Sequence, residues 1–429
     1  MIIVAKQSNL NSVTLYLIKQ KPFTEDFPAW PETMGVYNKY LPKLGYNIWW
    51  IAPSPEVQEP TIKKWENVNL YLIPYNGSSL ILELISLIRF AIESFKFLSQ
   101  QLKQKKNEKV ILQVRDTIEG VVVAILLKKK YPTVPIVLNY SFLFYEGVAD
   151  AFREKRVGIL RFLYWWFFYK ILLYRLIRHF DLILPISREM KIKFARELGI
   201  SEDKQIPLPL GFDPDVFYPP SKEERKNLRK LLGFDENDVI IFYPGSISRS
   251  RRVSRFVKAL TPVLKKYKNL KLVLVGRGDE VEEIKKHAED NNIANKIVIT
   301  GWLHKDDVPK YYKISDIGIS LPKPAPQNLV MSPCKLFEYL GTGLAVIANP
   351  EIPEQKRVIS GSKGGILITW ELIPTSLSDI VEHLILSPKD RKKMGFFGHK
   401  HVLRNRSFRK HSERINCIYR QLLEKGEGI

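Results

Sequence analysis

The run Ser332-Pro333-Cys334-Lys335-Leu336-Phe337-Glu338-Tyr339-Leu340-Gly341-Thr342-Gly343-Leu344-Ala345-Val346-Ile347-Ala348 carries the densest set of groups able to do chemistry together. Lys335 and Glu338 are three residues apart, so a helix sets a cation and a carboxylate on one face. Ser332-Pro333 reads as the start of that helix, with proline in the first turn, where backbone N–H groups lack intrahelical partners and attract an anion such as phosphate. Glu338, one turn on, only accepts hydrogen bonds, which suits it to a diol such as a ribose. Ser332, Pro333, Cys334 and Leu336 therefore join Lys335 and Glu338 as candidates for holding a nucleotide that bears a sugar on its far end. Cys334 has neutral surroundings and reads as a small packing residue rather than a nucleophile.

Three further turns offer compatible chemistry. The apolar run Val239–Tyr243 enters Pro244-Gly245-Ser246-Ile247-Ser248-Arg249-Ser250-Arg251-Arg252. Gly245 permits close backbone approach, Ser246 offers a hydroxyl, and the forks of Arg249 and Arg251 match the oxygens of a diphosphate. Lys271–Val275 enters Gly276-Arg277-Gly278, which lacks the third glycine and the ribose-binding acid of a nicotinamide turn and so argues against a dehydrogenase. Gly301-Trp302-Leu303-His304, with Val308 opening the next helix, gives an apolar loop able to sandwich a nucleobase.

These turns need a scaffold, and the apolar pattern supplies one. Short Val/Ile/Leu-rich runs alternate with longer charged stretches of helical period, the signature of parallel strands with crossover helices. The first half contains strand candidates Val13–Ile18, Asn47–Ala52, Val68–Pro74, Lys109–Val114, Ile136–Leu138 and Leu182–Pro185. The second contains Val239–Tyr243, Lys271–Val275, Lys296–Thr300, Ile317–Ser320, Leu344–Ala348 and Gly365–Ile368. With 429 residues, two domains are the default. The expected fold is α/β: two Rossmann-like doubly wound domains facing a central cleft, where open α/β sheets bind ligands. Residues 1–205 form the first domain, the proline-rich 206–220 a linker, 221–395 the second domain, and 396–429 a basic C-terminal helix that docks back.

Lys plus Arg total 67 against 45 Asp plus Glu, a formal charge of +22 that calls for an anionic partner or surface. Only Cys334 and Cys417 are present, which excludes a disulfide framework and a cysteine-rich metal site and favours a reducing compartment. Met1-Ile2-Ile3-Val4-Ala5 runs into polar Lys6-Gln7-Ser8-Asn9, so no leader peptide is expected, and no apolar run reaches the roughly 18 residues of a spanning helix. The expected location is cytoplasmic, with peripheral attachment to the cell membrane. That attachment is read from Arg153–Phe180, where Arg161 and Lys170 accompany Trp165, Trp166 and Tyr169 in the pattern of a helix lying in a membrane interface. Ile81–Leu98 is also amphipathic, but its sparse charges favour a core helix. On the acceptor side, Gly35 lies at a helix start, and the loop Asn139–Asp150 supplies Ser141 and Glu146.

Ser332–Gly343, the Tyr243-Pro244-Gly245-Ser246 turn through Arg251, Gly276, the Gly301 loop and Gly211-Phe212-Asp213-Pro214-Asp215-Val216-Phe217 together resemble family-four (group 1) retaining glycosyltransferases of the GT-B fold. The likeness is specific over about residues 180–370 and topological before that. It implies a sugar transferred with retention from a nucleotide-diphosphate donor, with Arg251, Lys335 and Glu338 as catalytic residues. Arg251 stands where the family usually has the lysine of a basic pair, and Ser246 where it has the arginine. Glu338 matches the second, ribose-binding glutamate of the family's pair, and the first falls on Val330. The motif is the Pro-x-Lys-x-x-Glu-Tyr subtype found among polysaccharide and lipid-linked glycan transferases. Met34-Gly35 replaces the family's Gly-Gly pair.

By that resemblance no metal and no cofactor is needed, because the one Asp-x-Asp of the donor half, Asp213-Pro214-Asp215, lies in the linker. The expected partners are a nucleotide-sugar, a glycan or lipid-linked acceptor and an anionic membrane surface. A soluble GT-B transferase making a storage or compatible-solute sugar is the alternative. A nucleic-acid-binding protein fits the charge but lacks any binding module.

Overall fold

The structure is a computed structural model that describes residues 13–18, 22–26, 29–105 and 108–426. Met1–Asn9, the stretch without a leader pattern, lies outside the described residues, as do 427–429. The chain forms two compact units, Met1–Pro209 with Phe408–Ile429, and Leu210–Ser407.

The first unit holds a sheet of seven strands: β1 (Val13–Ile18), β2 (Tyr46–Ser54), β3 (Thr61–Trp65), β4 (Val68–Pro74), β5 (Val110–Arg115), β6 (Ile136–Tyr140) and β7 (Leu182–Pro185). Their order is β3-β4-β2-β1-β5-β6-β7. All neighbours are parallel except β3 and β4. The parallel strands are covered on both faces and so read as continuous apolar runs; β1 and β5 are buried at every position. β3, absent from the apolar pattern, is Thr-Ile-Lys-Lys-Trp, an edge strand whose lysines stay in water.

The second unit is wholly parallel, with β8 (Val239–Pro244), β9 (Leu270–Val275), β10 (Ile297–Gly301), β11 (Ile317–Ser320), β12 (Ala345–Ala348) and β13 (Gly365–Leu367). Their order, β10-β9-β8-β11-β12-β13, puts the reversal of direction between β8 and β11. In open α/β sheets ligands bind at the carboxyl ends of the strands beside such a reversal.

The division differs from the sequence boundaries at two places. Residues 206–209 stay with the first unit and Leu210–Pro220 with the second, so the division falls inside the stretch expected as the linker. The basic segment from 396 is two helices, Pro388–Arg406 in the second unit and Phe408–Gly426 in the first, separated by Ser407 in an extended conformation. Phe408, Ile415, Ile418 and Tyr419 enter the core of the first unit, so apolar burial holds this helix despite its basic surface.

Candidate functional site

The floor of the site is bare backbone. Gly245 follows β8 with φ +126°, Gly276 follows β9 with φ +153°, and Gly301 ends β10 with φ +75°. L side chains rarely adopt these conformations. A Cβ on Gly276 would sit 2.0 Å from the carbonyl oxygen of Gly245, and one on Gly245 would sit 2.3 Å from Nζ of Lys335. The Gly245 N–H donates to the Val275 carbonyl at 2.7 Å and the Ile247 N–H to the Arg277 carbonyl at 3.0 Å, which locks the two turns together.

Above this floor stands the helix Cys334–Gly341. Proline 333 is its cap rather than a residue of its first turn, and no side chain caps it, so its first N–H groups and its positive dipole end remain available to an anion. Tyr339 pins the helix to the sheet: its hydroxyl shares its proton between the carbonyls of Phe242 and Ile319, each 3.1 Å away. At its end, the Gly343 N–H bonds the Leu340 carbonyl (3.0 Å) and the Leu344 N–H bonds that of Tyr339 (3.0 Å), the Schellman stop with Gly343 at φ +80°. The helix Val253–Ala259 behind β8 is closed to a ligand, because the buried Glu280 carboxylate accepts from the N–H groups of Val253 (2.7 Å) and Ser254 (3.3 Å).

Floor and helix enclose a cavity of about 490 Å³, lined by Pro244, Gly245 and Ser246; Val275, Gly276 and Arg277; Trp302 and Leu303; Val308 and Tyr312; and Cys334, Lys335 and Glu338. Trp302 is 65% exposed, so its ring walls the cavity instead of filling the core. The ammonium of Lys335 lies over the Tyr243 ring, 4.2 Å from its centre. Tyr312 donates its phenolic hydrogen to Oε2 of Glu338. Burial raises the Glu338 carboxyl above its usual range, while the Tyr312 hydroxyl and the Lys335 charge pull it back. Burial, then the nearby Glu338, pushes the Cys334 thiol up to about 12, so it stays protonated and is no nucleophile.

Of the donor-side candidates, the fold gathers Gly245, Ser246, Gly276, Trp302, Leu303, Val308, Cys334, Lys335 and Glu338 around one cavity. Five others do not line it. Leu336 is fully buried in the core, and Pro333 is the helix cap. The buried Ser332 hydroxyl accepts from the Leu210 N–H at 3.0 Å, which fixes the entry of the chain into the second unit. Arg249 is exposed, and its charge acts on Glu283 behind the loop. Arg251 is half-buried on the same loop, close enough for its charge to act on the Cys334 thiol, but outside the lining. Sequence reasoning left out Pro244, Val275, Arg277 and Tyr312 as wall residues. Arg277, between two glycines at a strand end, carried a signal, whereas Tyr312 in mid-helix had none.

In the first unit, Gly35 is not free for ligand approach, since a Cβ there would lie 2.1 Å from Cδ2 of Phe408 and its bare face serves helix packing. Glu146 pairs with Lys193 at 3.3 Å. Ser141 belongs to a polar cluster at the ends of β5 and β6: its hydroxyl accepts from Nη2 of Arg115 at 3.1 Å, and its N–H donates to Asp116 at 3.0 Å. Arg115 also reaches Oγ1 of Thr33 at 3.3 Å and Oε2 of the buried Glu32 at 3.6 Å.

The aromatic-basic segment runs as Ile159–Trp165 and then Trp166–Leu173, the latter with wider π-helical turns. Arg161 and Trp166 are exposed beside Leu160, Leu163 and Phe167. Trp165, Tyr169 and Lys170 turn inward. Trp165 packs on Phe144 and Tyr169 with ring centres 5.7 and 4.6 Å away, and Lys170 pairs with Glu197 at 3.6 Å. The helix Leu80–Gln104 buries Phe90, Phe97, Leu98 and Leu102 in the core, and beyond what its pattern suggested Ile81 (70%), Ile85, Ile88 (62%) and Ile92 form an exposed stripe along it. Glu83 of this helix lies near enough for its charge to act on the Tyr164 phenol of the aromatic segment. No helix among the described residues is long and apolar enough to cross a membrane.

Residues 224–401 match the family described as glycosyl transferases group 1. Over 210 residues, 48% of this chain and 44% of the relative, the sequence is 28% identical to an alpha-monoglucosyldiacylglycerol synthase of Streptococcus pneumoniae. The chain spans about half the length of the curated relatives it matches. Sucrose-phosphate synthase from Thermosynechococcus elongatus superposes with a TM-score of 0.69 at 14% identity, covering 96% of this chain and 99% of that one. Anabaena HepE, solved with UDP and glucose, superposes with a TM-score of 0.67 at 14% identity over 94% of this chain and 98% of that one. The fold is GT-B, and residues 224–401 of the second unit are similar to group 1 glycosyl transferases.

Proposed function

We propose that the chain moves a sugar, with retention of configuration, from a nucleoside diphosphate to a lipid-linked glycan at an anionic membrane surface. The observation that carries this reading is the cavity itself, where bare strand ends, an uncapped helix start and the Glu338 carboxylate stand within one nucleotide's reach. In this reading Trp302, Leu303 and Val308 hold the base, Glu338 takes the ribose hydroxyls, and Lys335 with the helix N-terminus meets the diphosphate. Arg251 swings from its loop onto the leaving phosphate. Fixed cationic donors in a half-buried site stabilise the charge that develops as the sugar–phosphate bond breaks. The acceptor hydroxyl attacks from the face the nucleotide leaves, a new C–O bond forms at the anomeric carbon, and the acceptor proton passes to the departing phosphate oxygen. No metal enters this scheme.

The membrane half of the reading rests on the exposed apolar faces of Leu80–Gln104 and of Ile159–Leu173, with Arg89, Lys96 and Arg161 exposed on the same helices. Exposed apolar helix faces accompanied by cations fit seating among anionic lipid headgroups. The name of the pneumococcal relative, which refers to a glycosylated diacylglycerol, points the same way.

The test is titration of the purified chain with UDP, GDP and ADP, followed by transfer assays with the matching sugar nucleotides. At least one should bind and stabilise by mass action. Absence of binding by all three would overturn the donor assignment. Transfer to free hexose or hexose phosphate, with none to lipid-linked acceptors, would overturn the lipid half alone, and activity abolished by a chelator would remove the metal-free scheme.

A further inference from the structure

The helix Val308–Ile314 gives the cavity two residues, Val308 and Tyr312. Tyr312 is 1% exposed, and its ring is wedged between Phe217, Phe242 and Tyr339 with centres 5.0, 4.8 and 5.3 Å away. Three aromatic walls leave the ring one orientation, in which its hydroxyl donates to Oε2 of Glu338. Among the described residues Oε1 of Glu338 has no hydrogen-bond partner. A glutamate carboxylate turns freely about its last torsion, so without a partner it would present no fixed pair of acceptors.

We propose that Tyr312 is a positioning residue that fixes the Glu338 carboxylate for two-point capture of the ribose 2′,3′-diol, and that it thereby makes the site select ribonucleoside over dideoxyribonucleoside diphosphates. The proposal rests on the nucleotide reading above and adds the residue on which sugar selection depends. No neighbour can replace it. The Tyr339 hydroxyl is spent on two backbone carbonyls, the Cys334 thiol is a weak donor, and the Lys335 ammonium lies over the Tyr243 ring. The groups facing Glu338 are Tyr312, Lys335, Cys334 and Tyr339. Burial disfavours the charged carboxylate, and the Tyr312 hydrogen bond is one of two influences that restore it.

Tyr312→Phe keeps the ring and its packing and removes only the donor. Calorimetric titration with UDP, GDP and ADP first identifies the nucleotide the wild type prefers, and its 2′,3′-dideoxy form is then compared. The Y312F chain should bind the ribonucleotide about tenfold more weakly, the scale of a hydrogen bond to a charged group, with dideoxy binding unchanged. Glu338→Gln should lose the same discrimination, and the Y312F/E338Q pair should be no worse than E338Q alone. As pH falls, ribonucleotide binding should fail at a higher pH in Y312F, because the ionised carboxylate has lost a stabilising donor. Equal weakening of ribo and dideoxy forms, additive losses in the pair, or an unmoved pH profile would overturn the proposal while leaving the nucleotide site intact. A wild type that binds none of the three nucleotides would instead bring down the donor reading, and this proposal with it.

Discussion

The carboxyl ends of the two sheets are built on opposite plans. In the second unit β8, β9 and β10 run into Gly245, Gly276 and Gly301, and the cavity opens over the main chain of Gly245 and Gly276. In the first unit β5 ends on Arg115, whose guanidinium reaches Thr33, Ser141 and Glu32, and Asp116 accepts from the N–H groups of Ser141 and Phe142 at 3.0 Å each. Gln113, one turn of the pleat earlier, donates to the Tyr37 hydroxyl at 2.8 Å and accepts from Tyr419 of the C-terminal helix. Two sheets of one architecture therefore end differently: one leaves main chain bare for a ligand, and the other fills its strand ends with a buried polar cluster, in which Nε of Arg115 and Oδ1 of Asp116 keep no hydrogen-bond partner among the described residues. What the first unit offers instead is on its flank, in the isoleucines of Leu80–Gln104.

Substituting one glycine in each unit tests that contrast most severely. Gly276→Ala places a Cβ 2.0 Å from a backbone oxygen, which cannot give way, and forces a disfavoured φ. The expected result is a loss of about 3 kcal/mol or more of stability and no measurable nucleotide binding. Gly35→Ala meets the buried Phe408 ring, which must shift with its packing, so about 1–3 kcal/mol is expected with nucleotide binding retained. Thermal melts and UDP, GDP and ADP titration read both. Equal effects on binding would end the distinction between an open and a filled sheet end.

Arg251→Ala comes next, with a rate loss on the order of 10²-fold at unchanged melting temperature, the scale for removing one donor to a developing anion. Near-normal turnover would show that the loop arginine never reaches the leaving group. On the flank of the first unit, Ile85→Glu with Ile88→Glu should weaken binding to phosphatidylglycerol vesicles at least tenfold, since each removes an apolar side chain worth about 1.5–3 kcal/mol when buried. Both residues are exposed, so the melting temperature should hold, and unchanged vesicle binding would leave the stripe without a lipid role.

The sequence made the open plan far easier to read than the filled one. Glycines at strand ends, and a lysine and glutamate one helical turn apart, act through local spacing. The wall residues Gly245, Gly276, Trp302, Lys335 and Glu338 were therefore within reach before any coordinate. The filled plan depends on partners far apart in the chain: Arg115 meets Thr33 and Ser141, and Gln113 meets Tyr419 across 306 positions, which no local pattern encodes. Tyr312 escaped notice because a tyrosine on a helix is ordinarily packing, and only the placement of Glu338 against its hydroxyl distinguishes it. The helix Leu80–Gln104 shows the limit of periodicity. A 3.6-residue repeat marks an apolar stripe but is silent on whether protein or another medium covers it. Likewise β3 lacks a sequence signal because Thr-Ile-Lys-Lys-Trp at a sheet edge has no apolar run of the kind that marks the buried strands.

The smallest effect separates what Glu338 does for folding from what it does for binding. Its carboxyl is raised above the ordinary 4.5 chiefly by burial, so the native state holds its proton more tightly than the unfolded chain does. Stability therefore falls as pH rises from 4.5 through the elevated native value, and above that value the folded protein carries the full cost of a buried charge. Glu338→Gln removes the charge, and the glutamine oxygen can still accept the Tyr312 hydrogen. At pH 8 the variant should melt slightly higher than the wild type, with the gap narrowing as pH drops and closing below 4.5. Adding the preferred nucleotide should reverse the order, because only the wild type gains from a ligand held by an ionised carboxylate. A variant that melts lower at pH 8 would mean the carboxylate is a net stabiliser of the empty fold. The second unit would then hold its site charge at no cost in the absence of a ligand, and the contrast between the two sheet ends would lose its energetic basis.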